Sequence, residues 1–502
     1  MDALPSWIQD FVRFRKTRSG ATFSNLYTIT DTSFDLDQLL KNAAADEEDD
    51  PDPTGADADE DWVDEEIAPS TADSSPLSSP PASEPGSRAP SPPPLSHHIP
   101  TPDLPNAATR DIRPTIVGKK RAKKERARER RAKKAARAKE EWGPPAAKGR
   151  RRRGAKRILE AQQQDVDISW DDMPVNATGY GGKRGENERK LYSVEDLVGP
   201  EAKVPGMTLY DWDGREPTGI AAPDGRVFAV LAGQPDDASW TGAHQNLADE
   251  IRKCESHVNF PAQASDHRRG RFGAQAYGVS HGGGQTEPAN LKHGKAMHRV
   301  LVHLIGLTSM MRIALFASSV FACWAPLLFA YYAEHMAILF ANDPTLVRNF
   351  ARSVWACITI NFGPRTVTFK HRDFGNLPFG WCAVTALGRF DPQRGGHIVL
   401  WECKLVIRFP PGSTVLIPSA IIHHSNTRLQ RGEQRFSVTQ YTAGALFRWV
   451  DHHCKLDAAY YGSLSAKEKA RAHAANARRW KEGVELWSKI SDLRKSAAEV
   501  LE

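Results

Sequence analysis

Between residues 352 and 450 the chain breaks into short apolar segments at regular intervals. They read "SVWACITINF", "RTVTFKH", "WCAVTALGRF", "GGHIVLWE", "KLVIRFP", "STVLIPSAII" and "QRFSVTQYTA". Glycine or proline separates most of them, as in "DPQRGG" and "PPGS". Strand-length runs about ten residues apart, with turn residues between, point to a sandwich or jelly roll. Upstream, "GMTLYDWDGR" and "GRVFAVLAGQP" read as two further strands and "TGAHQNLADEIRKC" as a helix. "RRGRFGAQAYGVSHGGGQTEPANL" is a glycine-rich passage without the pattern of a phosphate loop. Residues 291–350 form a helical block. The expected class is therefore α+β, a jelly-roll (cupin-like) strand core over about 352–450 with supporting helices.

Charge divides the rest of the chain. The net charge of +6 hides two blocks. Residues 46–66 carry 13 acids and no base, and residues 119–157 carry 20 Lys/Arg against 4 acids. Between them runs the Pro/Ser-rich "SSPLSSPPASEPGSRAPSPPPLS". Such stretches repel themselves and have too little apolar surface to pack. Residues 1–190 are thus expected to be largely disordered, apart from one small helix within 1–40. Residues 119–157, the basic arm, resemble a bipartite nuclear-import or nucleic-acid-contacting segment, which gives the nucleus as the expected location. The folded domain is expected over 191–460, followed by a charged C-terminal helix over 461–502.

The six cysteines are scattered without a CxxC pair, which fits reduced thiols better than a zinc finger or a disulfide framework. "MDALPSWIQDFVRFRK" has no apolar region of the secretory kind. "IALFASSVFACWAPLLFAYYA" (313–333) is uncharged over 21 residues, long enough to span a bilayer. Pro326 near its middle and the paired serines favour a buried helix, so no membrane partner is expected, and the protein is expected to be a monomer.

"HRDFGN" (371–376) follows the alternating segment "RTVTFK". Residues two apart in a strand share a face, so His371 and Asp373 project together while Arg372 points away. A two-histidine, one-carboxylate triad needs another histidine, and "IPSAIIHHSN" offers His423 or His424 after several strands. Such a triad leaves positions open for a bidentate cosubstrate and dioxygen. Further on, "RFSVTQY" places Arg435, Ser437 and Thr439 on one face and Phe436, Val438 and Gln440 on the other. A polar inward face is expensive unless it binds something. The guanidinium fork of Arg435, with Ser437 beside it, suits the carboxylate of 2-oxoglutarate. His397 in "GGHIVLW" reads as structural, and "DHHC" (451–454) has no partner cluster for a metal.

"HRDFGN", "GWCAVTALGRFDPQRGGHIVLWE", "FPPGSTVLIPSA", "HSN" and "RFSVTQYTAGALFRWV" together resemble the TET/JBP-like dioxygenases carried in many copies by mushroom-forming fungi. The resemblance covers roughly 205–455. It implies a double-stranded β-helix with Fe(II) and 2-oxoglutarate, and 5-methylcytosine in DNA as substrate, flipped out of the stack to reach the metal. It implies His371, Asp373 and His424 as metal ligands, Arg435 with Ser437 at the cosubstrate, and Asn376 at the cytosine. Gly375 stands where the animal members have a histidine, so base contacts differ there. The basic arm would meet DNA phosphates. Two other readings stay open: the same chemistry on RNA or a protein side chain, and a nuclear DNA-binding protein whose oxygenase fold is inactive.

Overall fold

The computed structural model describes residues 147–502 except 186, 187, 259 and 261–264, together with the paired strands β1 (Arg15–Lys16) and β2 (Thr22–Phe23). The acidic block, the Pro/Ser-rich stretch and 119–146 of the basic arm lie outside the described residues, and so does most of 1–40.

Among the described residues, nine strands form one sheet. They are β3 (Gln162–Asp165), β5 (Thr218–Ala221), β6 (Val227–Gly233), β7 (Gly273–Ser280), β8 (Ala289–Asn290), β9 (Cys357–Gly363), β10 (Cys382–Arg389), β13 (Thr414–Ile417) and β15 (Gln434–Tyr441), in the order β3-β5-β6-β13-β10-β15-β9-β7-β8. A second sheet runs β14-β11-β12-β4, from β14 (His424–Asn426), β11 (Ile398–Leu400), β12 (Leu405–Ile407) and β4 (Thr208–Tyr210). The chain thus leaves the large sheet after β10, makes β11 and β12, returns for β13, leaves again for β14 and returns for β15. The fold is α+β, as its punctuation suggests.

Period-two alternation decides what each strand faces. In β15, Phe436 and Val438 join the main apolar core, while Arg435 and Ser437 point to the other face. Opposite them on β10 stand Gly388 and Ala386, two of the smallest residues, which leaves room around the polar pair. In the second sheet Ile398, Leu400, Leu405 and Ile407 face the main core. Val399 and Val406 face the other way, into a small cluster with Tyr192 and Leu197.

The helices in chain order are α1 (Ala147–Leu159), α2 (Val194–Leu197), α3 (Trp240–Glu255), α4 (Lys295–Gly306), α5 (Thr308–Trp324), α6 (Pro326–Asn342), α7 (Gly444–Asp451), α8 (Asp457–Gly462), α9 (Ala466–Val484) and α10 (Ile490–Leu501). The long uncharged run of 313–333 is divided between α5 and α6, because Pro326 cannot continue the first helix and opens the second. Its large residues, among them Phe321, Trp324, Leu328 and Tyr332, are buried in the core. Among the described residues no single helix is long and apolar enough to cross a membrane. The pair α4 and α5, bent by 65°, passes the same test together by length and composition alone.

Both ends of the fold differ from expectation. Among the described residues the fold already includes 147, where a start near 190 is expected. α1 carries the second basic cluster, but Ala155, Ile158 and Ala161 recur at three-residue spacing and are buried. The Arg157 guanidinium donates to the carbonyls of Gln234 (2.7 Å) and Ala232 (3.0 Å), and its stem shelters in the protein as long cationic chains can. High charge density concealed this narrow apolar stripe, so part of the expected DNA-contacting arm is an element of the fold.

At the other end the single expected helix is two, α9 and α10. They are separated where Trp487 turns inward, donates its indole N–H to the Phe379 carbonyl at 2.9 Å and packs edge-on against Trp170. Trp487→Ala should cost about 3–5 kcal/mol of unfolding free energy, read by denaturant titration. An unchanged midpoint would mean that the C-terminal helices lie outside the cooperative unit.

Candidate metal centre

The segment from Arg365 to His371 is extended, as its alternation suggests, but it makes isolated bridges in place of a ladder. It meets Arg435, then Gly270, Glu188 and finally His424. The partner changes every few residues, so no one strand pairs along it. At its end the backbones of His371 and His424 exchange both hydrogen bonds, N to O at 3.1 and 2.9 Å. His424 belongs to β14, where it sits opposite the inward Leu400. Asp373 is fixed by its N–H to the Ser419 carbonyl at 2.8 Å.

These three side chains converge. One ligand atom from each of His371, Asp373 and His424 lies within 4.8 Å of the others. His371 and His424 are 3% and 8% exposed. His371 Nδ1 meets the Phe369 carbonyl at 2.8 Å, and His424 Nδ1 meets the Ile422 carbonyl at 3.0 Å. A carbonyl only accepts, so each Nδ1 carries the hydrogen and each neutral ring turns a lone pair outward on Nε2. Those lone pairs face Asp373, 3.9 Å from Oδ1 and 3.7 Å from Oδ2. Three acceptors therefore converge with no proton between them, an arrangement that a cation relieves.

Electrostatics keeps them in that state. Burial pulls His371 and His424 below the ordinary histidine value, and for His371 the neighbouring His424 adds to the effect. Burial pushes Asp373 the other way, but the surrounding His371, His424, Arg269 and Arg268 outweigh it and hold the carboxyl well below the usual range. Near neutral pH the cluster is two neutral imidazoles and a carboxylate. The donor set fits a non-haem iron of the facial-triad kind.

His423 does not join the cluster. One residue before β14, it faces outward, with Nδ1 2.6 Å from Glu402 Oε1 and its backbone N–H on Glu402 Oε2. Arg268, absent from the sequence reading, donates to the Arg372 carbonyl at 2.8 Å and lies 3.6 Å from Asp373 Oδ1. The basic run "HRRGR" was its only signal, inside what reads as a glycine-rich passage.

Arg435 is 1% exposed, and no carboxylate pairs with it among the described residues. Nη1 donates to the Thr366 carbonyl at 2.7 Å, Nε has no partner, and the rings of Phe390 and Phe409 lie 5.8 and 5.6 Å from the guanidinium carbon. Burial pushes its pKa down to about 9. Ser437 Oγ accepts from Asn361 at 2.9 Å. Asn376 is buried beside Asp373, its amide donating to Cys382 Sγ and Ser419 Oγ, each at 3.2 Å. His397 is buried, with Nδ1 2.8 Å from Thr427 Oγ1. In "DHHC", His452 stacks on Tyr460 and bonds Asp457. All six cysteines are free.

Neither a family model nor a curated protein matches the chain. Among solved structures it is similar to NgTET1 in complex with 5mC DNA. That likeness has 12% identity, covers 48% of this chain and 83% of that one, and has a TM-score of 0.31.

Proposed function

We propose that the chain is an Fe(II)- and 2-oxoglutarate-dependent dioxygenase of double-stranded β-helix type that oxidises 5-methylcytosine in DNA. The observation that carries the reading is the buried meeting of three acceptors at His371, Asp373 and His424. Bound iron with 2-oxoglutarate and dioxygen would supply the oxidising power to hydroxylate a methyl group. The chain's residues do the rest. The Phe369 and Ile422 carbonyls hold the two histidines in the ligating tautomer. Arg268 keeps Asp373 ionised and in place. Arg435, a buried cation without a counter-ion among the described residues, takes the far carboxylate of the cosubstrate, and Phe390 and Phe409 keep water from it. Asn376 orients the flipped cytosine, a role supported by its place beside Asp373 and by the sequence resemblance.

The test is to incubate the purified full chain with methylated duplex DNA, Fe(II) and 2-oxoglutarate and to measure oxidised cytosines by mass spectrometry. Turnover of 2-oxoglutarate without any oxidised cytosine would transfer the chemistry to RNA or a protein side chain. Absence of iron binding would leave a DNA-binding protein. Asn376→Ala should lower cytosine oxidation roughly ten- to a hundredfold, more than it lowers cosubstrate consumption. Equal losses would remove Asn376 from the base.

The basic run supports a nuclear location and action on DNA. Deleting 119–146, which spares α1, should weaken DNA binding, flatten its dependence on salt and reduce nuclear accumulation, because fewer phosphates release counterions. An unchanged salt slope would mean that this segment does not touch DNA.

A further inference from the structure

The segments that carry the metal ligands have an outer side. Alternation turns Lys370, Arg372 and His423 away from the cluster, and they line a cleft of about 350 Å³ with Gly185 and Glu188. Arg372 is 8% exposed, yet its Nε has no partner, and among the described residues its guanidinium makes no ion pair. Lys370 lies 4.4 Å from the centre of the Trp401 ring, which fixes its ammonium without neutralising it. Among the described residues the two nearby carboxylates already hold partners. Glu188 accepts from the Tyr192 hydroxyl at 2.7 Å, and Glu402 accepts from His423. Gly185 keeps the floor open, since a Cβ there would strike the Arg372 guanidinium and lie 2.8 Å from His423 Nε2.

We propose that this cleft is an oxyanion site of the phosphate class, built on Arg372 and Lys370 and walled by Gly185 and His423. A guanidinium that lines a cavity with its Nε buried and unpartnered is costly unless an anion completes it. A planar fork beside a point charge matches a phosphate. The same chemistry comes from a nucleic-acid phosphodiester or from free phosphate. The site is separate from the ligand set and needs no iron, so it stands or falls independently of the proposed reaction.

The probes are inorganic phosphate, against chloride of equal ionic strength, and an unmethylated oligonucleotide, both on the full chain without iron. Phosphate should raise the melting temperature of the wild type, as any ligand of the folded state does. Gly185→Ala keeps every charge and closes the floor. Lys370→Ala and Arg372→Gln remove a cation each. Each should weaken phosphate binding by roughly tenfold or more in calorimetric titration, with unfolding in the absence of phosphate as the control for folding. Matching losses of oligonucleotide binding, with competition by phosphate, identify a phosphodiester as the ligand. Loss of phosphate binding alone identifies the free anion. No shift beyond that of chloride, or variants that leave phosphate binding unchanged, would overturn the proposal.

Discussion

His424→Ala should abolish ferrous-ion binding while His423→Ala leaves it intact. The two imidazoles are adjacent in sequence but point opposite ways at the start of β14, and only His424 turns an Nε2 lone pair toward Asp373. His371→Ala and Asp373→Ala should behave like His424→Ala. Loss of a ligand should exceed the roughly 10–100-fold loss typical of removing an outer partner of a metal site. The measurement is iron content after equilibrium dialysis, with cosubstrate turnover alongside. The reverse result, in which His423→Ala loses the metal and His424→Ala keeps it, would remove His424 from the ligand set.

Arg435→Lys should raise the apparent KM for 2-oxoglutarate by roughly ten- to a hundredfold, the equivalent of about 1.5–3 kcal/mol for one lost charge-assisted bond. Lysine keeps the charge and loses the fork. Iron affinity and DNA affinity should change little, because Arg435 touches neither the ligand atoms nor the surface. A second variant separates binding from folding. With no counter-ion among the described residues, Arg435 is a desolvated charge, so without added 2-oxoglutarate Arg435→Met should melt no lower than wild type. It should also lose the thermal stabilisation that 2-oxoglutarate gives. An unchanged 2-oxoglutarate titration together with impaired DNA binding would place Arg435 on the nucleic-acid side.

What could be read from residues alone was whatever period-two alternation controls. The HxD pair, the polar face of Arg435 and Ser437 and the punctuated strand core all follow from it. The choice between His423 and His424 does not, since it depends on which residue faces Leu400 across β11, a long-range pairing. Strand β7 was hidden because "GAQAYGVS" has the composition of a loop, and it is held by its ladder with β9. Strand β3, "QQQD", is a polar edge whose place is set by β5. Arg268 reaches Asp373 from more than a hundred residues upstream, and nothing local announces that. The packing of α1 was hidden by the charges around its stripe.

The opposed faces of the ligand-bearing strands make the reading frame of this region unusually consequential. With β14 held in register against β11, inserting one residue between Ile417 and His423 would bring His423, still able to ligate, into the place of His424 opposite Leu400. Deleting one there would bring Ser425 into that place and leave the metal set one ligand short. The consecutive histidines thus buffer the set against a slip in one direction only. The next positions offer no such redundancy. Ser425, whose Oγ accepts from the Trp401 indole at 3.1 Å, would lose that contact, and Asn426 would surrender its bonds to Thr368 and the His397 carbonyl. Length variation here should therefore be read out in the pairing of β14 before it is read out in the metal.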